Sequence, residues 1–323
     1  MDNVIVMVDT DPALRKELEG IFTGYKIIFN EDDNTSGIDA ATAGNTTVIL
    51  GNAKPDFVKL CPRLKWLQLR SAGANGYVDG EISQTITLSC ASGCYGHAVS
   101  EHMIALTVTL LKKLHLYRDE QNAGRWKDRG TVKSIQGATV LIVGLGDIGS
   151  RYARCMKGLG AHIIGIDRLD YSKAEFLDEY FPADKMEELL SRADVVATIV
   201  PGTNDNAHLF GRPQLAKMKK DAVIINCGRG TTIDTEALCD ALEGGALGGA
   251  GLDVTDPEPL PPGHRLWKQE NALIAPHVAG AYHLPDTRRY IMELFLENAR
   301  RFIKGEKLKS VVDYKTGYRV PEK

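Results

Sequence analysis

The sequence predicts an α/β protein of two domains built on doubly wound parallel sheets. Three observations carry this. Strand-like apolar runs alternate with helical stretches along most of the chain, the pattern of parallel βα units. The motif GLGDIG (144–149) stands between an apolar strand and a helix, where such a sheet places its ligand-binding turn. The chain has 323 residues, enough for two domains that each bury a core.

The elements follow in order. Val4–Val8 reads as a short apolar strand, and Thr10 or Asp11 caps a helix with Pro12 in its first turn. Thr46–Leu50, Trp66–Leu69 and Thr85–Leu88 are further strands, each bounded by turn-forming residues. Residues 97–118 carry apolar side chains at 103, 106, 110, 111 and 114, a helical period long enough to bridge two domains. A polar segment with Trp126 follows, from Arg118 to Gln136. From Ala138 onward the strands are Thr139–Val143, His162–Ile166, Val195–Val200, Val223–Cys227, Gly251–Val254 and Ala272–Ala275. Helices such as Ile148–Lys157 and Thr235–Leu242 lie between them. An amphipathic helix, Asp286–Ile303, precedes a short tail with Val311 and Val312.

Composition narrows the class. Hydrophobic residues make up 43% and charged residues 25%, close to globular averages, which excludes wholesale disorder. A net charge of −3 argues against non-specific binding to nucleic acid or anionic membrane. No run approaches the ~18 apolar residues of a membrane helix. The start, MDNVIVMVDTD, carries Asp2 before a strand-like run and does not read as a signal peptide. The cysteines Cys61, Cys90, Cys94, Cys155, Cys227 and Cys239 form no CxxC, and no metal site is expected. The expectation is a reduced, cytoplasmic protein with inert thiols. Glycine is the outlier, with 32 residues, roughly 10% against a usual ~7%. The excess means either flexible linkers or tight turns around a ligand, and no Gly/Ser linker is present.

GLGDIG carries the sharpest chemistry. Gly144 permits the tight turn, Gly146 lets the backbone approach a pyrophosphate, and Gly149 lets the helix pack on the strand. Asp147 and Ile148 open the helix, whose free N–H groups and positive dipole end suit phosphates. Asp167 ends the next strand. A carboxylate there accepts the ribose hydroxyls and repels a 2′-phosphate, which favours NAD. The adjacent Arg168 leaves NADP open. A glycine turn with no ligand is the plain alternative.

Polar residues also gather after other strands: Arg229 in INCGRG, Asp253 and Glu258 in GLDVTDPEPL, and His277 in APHVAG. Ligands of open α/β sheets bind beyond the carboxyl ends of strands. A guanidinium holds a carboxylate bidentately, an imidazole exchanges a proton near neutral pH, and a nearby carboxylate favours imidazolium. With a nicotinamide this set suits hydride transfer between an alcohol and a ketone beside a carboxylate. Spacing alone does not select the partners. Asp256 or Glu270 could orient a histidine as well as Glu258, and His115, His162, His208 and His264 read as surface or core residues.

GLGDIG, INCGRG, GAGLDVTDPEPL and APHVAG, in this order, resemble the D-isomer-specific 2-hydroxyacid dehydrogenase family. The likeness extends to RSAGANGYVD (70–79), YGHAVSEH (95–102), GRWKDRG (124–130) and the helix ending in NARRFIKGE. The resemblance implies a two-lobed fold in which a Rossmann-type domain, 101–283, is inserted into a smaller flavodoxin-like substrate domain, 1–100 plus 284–323. It implies NAD-dependent reduction of a 2-oxo acid to a D-2-hydroxy acid. Arg229 would bind substrate, His277 would donate and accept the proton, and Glu258 would orient it. Asp253 would lie near the nicotinamide amide. The backbone of Ser71, Ala72 and Gly73 would cradle the substrate carboxylate, as successive N–H groups of a turn do. Cofactor contacts would extend to Val200, Pro201 and Asn206 of PGTNDN, to Cys227 and Gly228, and to Gly280.

Some positions depart from the family's usual residues. PGTNDN places Asn206 where a hydroxyl is common, and His97 replaces a small or amide residue. Arg70 and Tyr95 flank the substrate loop and could select a side chain, or could serve packing; Tyr282 and His283 are equally open. The helix and arm after residue 97 resemble a dimerisation region, and the helix's apolar stripe exceeds what one domain face needs, implying a homodimer. Two other readings compete. One is a nucleotide-sensing, corepressor-like binding module. The other is a related dehydrogenase acting on phosphite; the Glu258/His277 pairing disfavours the formate type. The glycine excess is expected to mark a cofactor cleft.

Overall fold

The computed structural model describes residues 1–30, 35, 37–78, 80–281 and 283–320. Tyr282 lies outside the described residues. Contacts divide the chain into two units, Met1–Tyr95 with Leu284–Lys323, and Gly96–His283.

The first unit begins β1 (Asn3–Val6), α1 (Pro12–Ile21), β2 (Lys26–Phe29), α2 (Ala40–Gly44), β3 (Thr46–Leu50), α3 (Pro55–Lys59), β4 (Trp66–Gln68) and β5 (Thr87–Ser89). Asp11 caps α1 by accepting the Leu14 N–H, with Pro12 in the first turn. The strands form one parallel sheet in the order β2-β1-β3-β4-β5, the flavodoxin-like order. Alternation along β1 feeds two cores. Val4 and Val6 pack on one face with Leu14, Leu18 and Phe22, while Ile5 and Met7 pack on the other with Ile49 and Leu67.

The second unit holds α4 (Gly96–Leu111), α5 (Leu114–Asn122), β6 (Thr139–Val143), α6 (Asp147–Gly158), β7 (His162–Asp167), β8 (Glu179–Pro182), α7 (Met186–Leu189), β9 (Val195–Thr198), α8 (Arg212–Lys217), β10 (Val223–Asn226), α9 (Thr235–Glu243), β11 (Gly249–Leu252) and β12 (Ala272–Ile274). Its seven strands run parallel in the order β12-β11-β10-β9-β6-β7-β8. The order reverses between β6 and β9, the switch point at which such sheets bind ligands. The expected doubly wound α/β architecture is therefore present in both units.

The chain returns to the first unit as α10 (Pro285–Lys304), whose Ile291, Phe295 and Ala299 face the core at four-residue spacing. Buried Asn298 ties it to the sheet. Its amide donates to Gln68 Oε1 at 2.7 Å, Gln68 Oε1 also accepts the Ser89 hydroxyl, and the Ser89 oxygen accepts the Trp66 indole N–H.

Three expectations need correction. The helix over 97–118 is two helices, because Lys113 adopts a left-handed conformation (φ 56) and its ammonium donates to Arg129 O at 2.8 Å. The apolar stripe of α4 is not in surplus: Val99, Met103, Leu106 and Leu110 are buried, and α4 packs on α6, β10 and β11 of its own unit. The break between units falls at Tyr95/Gly96, where α4 starts, rather than at 100/101.

Candidate active site

The glycine turn joins β6 to α6. Gly144 has φ +100, and a Cβ there would fall 2.6 Å from the Ile199 carbonyl oxygen. A Cβ at Gly149 would fall 2.0 Å from Gly144 O. Both positions are closed to larger residues by backbone. Gly146, the N-cap of α6, is exposed with open space beside it, and no side chain caps the helix. The first-turn N–H groups thus face a bare turn, an arrangement that fits a dinucleotide pyrophosphate. Asp147 and Ile148 are half-buried behind it. Asp167 ends β7 with its carboxylate accepting Leu145 N at 2.7 Å and Leu169 N at 2.8 Å. These bonds fix the carboxylate beside the turn and leave lone pairs for ribose hydroxyls. Arg168 is exposed next to it.

After β9 the chain passes close to both the glycine turn and Arg229. A Cβ at Gly228 would lie 2.8 Å from Val200 O. Pro201 is exposed, and Asn206 donates from its amide to Pro201 O at 2.8 Å, closing the 201–206 turn. Arg229 follows β10 and buried Cys227. Asn226 shapes this turn, donating to Arg229 O at 2.9 Å and accepting Gly228 N at 3.0 Å. Burial pulls the Arg229 guanidinium below its ordinary value and the Glu258 carboxylate opposes this. Burial raises the Cys227 thiol, which stays neutral.

The structure selects the histidine's partner. His277 Nδ1 and Glu258 Oε1 are 2.6 Å apart, and both side chains are partly exposed. Glu270 instead pairs with Arg129. With the carboxylate accepting the Nδ1–H, Nε2 is the ring nitrogen left to exchange a proton. Glu258 reaches this place on a segment braced by Thr235, whose hydroxyl donates to Asp256 O at 2.6 Å, and by Thr255, whose hydroxyl donates to Pro257 O at 2.9 Å. The loop after β12 is clamped by Asp253. Its carbonyl accepts His277 N at 2.8 Å, and its carboxylate accepts Val278 N at 2.9 Å and Ala279 N at 3.1 Å. Gly280 follows, half-buried.

In the first unit, the 70–73 segment is held from three sides. Arg70 N donates to Asn52 Oδ1 at 2.9 Å, the Tyr95 hydroxyl donates to Arg70 O at 2.6 Å, and Ser71 Oγ donates to Gly73 O at 2.8 Å. Ala72 at its tip is exposed. Tyr95 thus braces the loop backbone. His97 pairs with Glu101 on the surface of α4, and His283 is exposed. His162 and His264 pair with Glu179 and Glu236. The sequence reading did not single out Asn52, Asn226, Thr235, Thr255 or His102. Asn226, Thr255 and His102 carry a signal, lying inside INCGRG, GAGLDVTDPEPL and YGHAVSEH.

Among the described residues no cluster suits a metal ion, and no helix is long and apolar enough to cross a membrane. The family model for the NAD-binding domain of D-isomer specific 2-hydroxyacid dehydrogenases matches residues 104–279. A glyoxylate/hydroxypyruvate reductase B of an Enterobacter species is 30% identical over 322 residues, 96% of this chain and 98% of that protein. A Korarchaeum cryptofilum glyoxylate reductase is 42% identical over 175 residues, 53% of this chain and 51% of that protein. Among solved structures, an NADPH-dependent glyoxylate/hydroxypyruvate reductase of Sinorhizobium meliloti, in complex with NADP and sulfate, superposes with a TM-score of 0.83 at 26% identity, covering 98% of this chain and 100% of that one. A D-isomer specific 2-hydroxyacid dehydrogenase family protein of Aeromonas salmonicida gives a TM-score of 0.83 at 28% identity, covering 97% and 99%. The glycine turn, the strand-end acid and these likenesses agree: the chain belongs to the D-isomer specific 2-hydroxyacid dehydrogenase family and is an NAD(P)-dependent enzyme.

Proposed function

We propose that the enzyme reduces a small 2-oxo acid, of the glyoxylate and hydroxypyruvate class, to the D-2-hydroxy acid. The observation that carries this reading is the 2.6 Å pair of His277 Nδ1 and Glu258 Oε1 with Arg229 in the field of the same carboxylate. A bound reduced nicotinamide supplies the hydride. His277, oriented by Glu258 through Nδ1, gives the Nε2 proton to the developing alkoxide. Arg229 holds the substrate's oxygen and carboxylate with its planar fork. Within the first unit, the turn of Ser71, Ala72 and Gly73, with Arg70 beside it, presents N–H groups of a kind that suit a carboxylate. Gly144, Gly146 and Gly149 take the pyrophosphate and Asp167 the ribose, so NADH is the preferred donor. Val200, Pro201, Asn206, Cys227, Gly228, Asp253 and Gly280 complete the cofactor wall.

The protein is proposed to act as a cytoplasmic homodimer. Trp126 is fully exposed on the arm after α5, with Leu114 and Val132 exposed nearby in sequence, an apolar set that suits a second copy. The test of the catalytic reading is initial rates on a panel of 2-oxo acids with NADH and with NADPH, followed by chiral analysis of the product. D-product with NADH preferred supports it. Turnover of none of them, or L-product, overturns it.

A further inference from the structure

His102 lies on α4, away from the motifs that carry the chemistry. Its Nε2 is buried without a hydrogen-bond partner among the described residues, yet it stands 3.8 Å from Asp253 Oδ1. The Asp253 side chain is 3% exposed. A carboxylate so enclosed needs compensating donors and opposite charge. Two donors are the N–H groups of Val278 and Ala279. Burial raises the Asp253 carboxyl above its ordinary value, opposed in part by those N–H groups and by the His102 and His277 imidazoles. The buried Cys227 thiol after β10 also faces it.

The stretch that Asp253 holds is demanding. His277 itself sits at φ 54, a left-handed conformation that a side chain with a Cβ avoids. Its own N–H is taken by Asp253 O, and the next two N–H groups by the Asp253 carboxylate. An ionised carboxylate only accepts, so it serves both N–H groups at once; a protonated one would turn one oxygen into a donor facing donors.

We propose that His102 is a positioning residue, whose imidazole packs against the enclosed Asp253 carboxylate, seats it against the Val278 and Ala279 N–H groups and thereby holds the 277–279 turn with His277 on Glu258. This rests on His277 being the proton donor of the proposed reaction. His102 touches neither substrate nor the reacting atoms; it acts through Asp253.

The test uses the full chain, with His102→Leu, His102→Gln, Asp253→Asn and the double variant His102→Leu/Asp253→Asn. Amide hydrogen exchange at Val278 and Ala279 is measured without cofactor, and kcat and KM with it. In His102→Leu the two amides exchange about tenfold faster or more, while β10 amides keep wild-type rates. Its kcat falls about tenfold with KM for the 2-oxo acid and Kd for NADH within about twofold. The double variant is no slower than Asp253→Asn alone. His102→Gln, which keeps a polar donor at this position, falls between wild type and His102→Leu, and it decides the matter if His102→Leu does not fold. Wild-type exchange at both amides, or losses that multiply in the double variant, overturn the proposal. If the wild-type enzyme reduces no 2-oxo acid, the reaction assigned above fails, while the exchange rates still decide the role of His102.

Discussion

Gly230 is the tightest point in the frame that brings Arg229 towards Glu258. A Cβ at this position would lie 1.9 Å from the Thr255 carbonyl oxygen, 2.1 Å from its carbon and 2.8 Å from Asp256 N. All three are backbone atoms, so no side chain can swing away. Gly230→Ala must therefore part the two segments by about 1 Å to reach an ordinary contact in a close-packed interior. That movement separates the Arg229 turn from the segment ending at Glu258. A misplacement of ~1 Å in a catalytic constellation costs on the order of 10²-fold in rate. The overpacking itself costs about 1–3 kcal/mol, or roughly 2–12 °C in Tm for units of this size. The assay is steady-state kcat and KM alongside a thermal melt. Gly20→Ala is the control: it lies in α1 with no heavy atom within 4 Å of the added Cβ. It should leave kcat unchanged and stabilise by about 0.5–1 kcal/mol. A Gly230→Ala enzyme with kcat within about threefold of wild type would refute the steric reasoning.

Three further outcomes are expected. Asp167→Ala removes the negative charge beside the turn and the acceptor for Leu145 N and Leu169 N; KM for NADH should rise about tenfold, with kcat/KM shifting towards NADPH. Asp178 has its carboxyl raised by burial but lowered more by the Ile163 N–H and the Lys157 ammonium, for a net depression. Its contribution is therefore present above the ordinary carboxylate pKa of about 4 and lost as pH falls below it, so the urea midpoint of wild type should drop more steeply between about pH 5 and 3 than that of Asp178→Asn. Trp126→Ala should shift sedimentation from dimer towards monomer without loss of helical circular dichroism; an unchanged dimer mass would remove the arm from the interface.

The sequence and the structure agree where a local pattern and a tertiary need coincide. β6 and the turn at 144–149 were readable because an apolar run, three spaced glycines and an acid at the next strand end occur in the one order a dinucleotide site requires. Two strands were not. β2 (Lys26–Phe29) and β8 (Glu179–Pro182) have no fully buried residue; β8 ends in a proline and gains its place by pairing with β7. The break at Lys113 carries no glycine or proline, and the bond from its side chain to Arg129 O comes from beyond α5. The stripe of α4 looked excessive because three elements cover it, which a single-helix period cannot distinguish from a surface shared with another copy. At the site, strand ends marked Arg229, Asp253 and His277, but only folded geometry separates Glu258 from Asp256 and Glu270. Asn52, Thr235 and Thr255 act through backbone carbonyls and amides brought from elsewhere, for which sequence spacing has no signature. His102 shares an apolar helix with the surface-paired His97, and its meaning depends on Asp253, which follows a strand about 150 residues later.

The most direct measurement of the catalytic assignment is the turnover of His277→Gln on the wild-type enzyme's best 2-oxo acid, with NADH affinity measured by fluorescence on the same sample. Loss of the proton donor should lower kcat by about 10²–10⁴-fold and leave the Kd for NADH within about twofold of wild type. A His277→Gln enzyme that turns over at the wild-type rate would contradict the assignment of His277 as the group that delivers the proton.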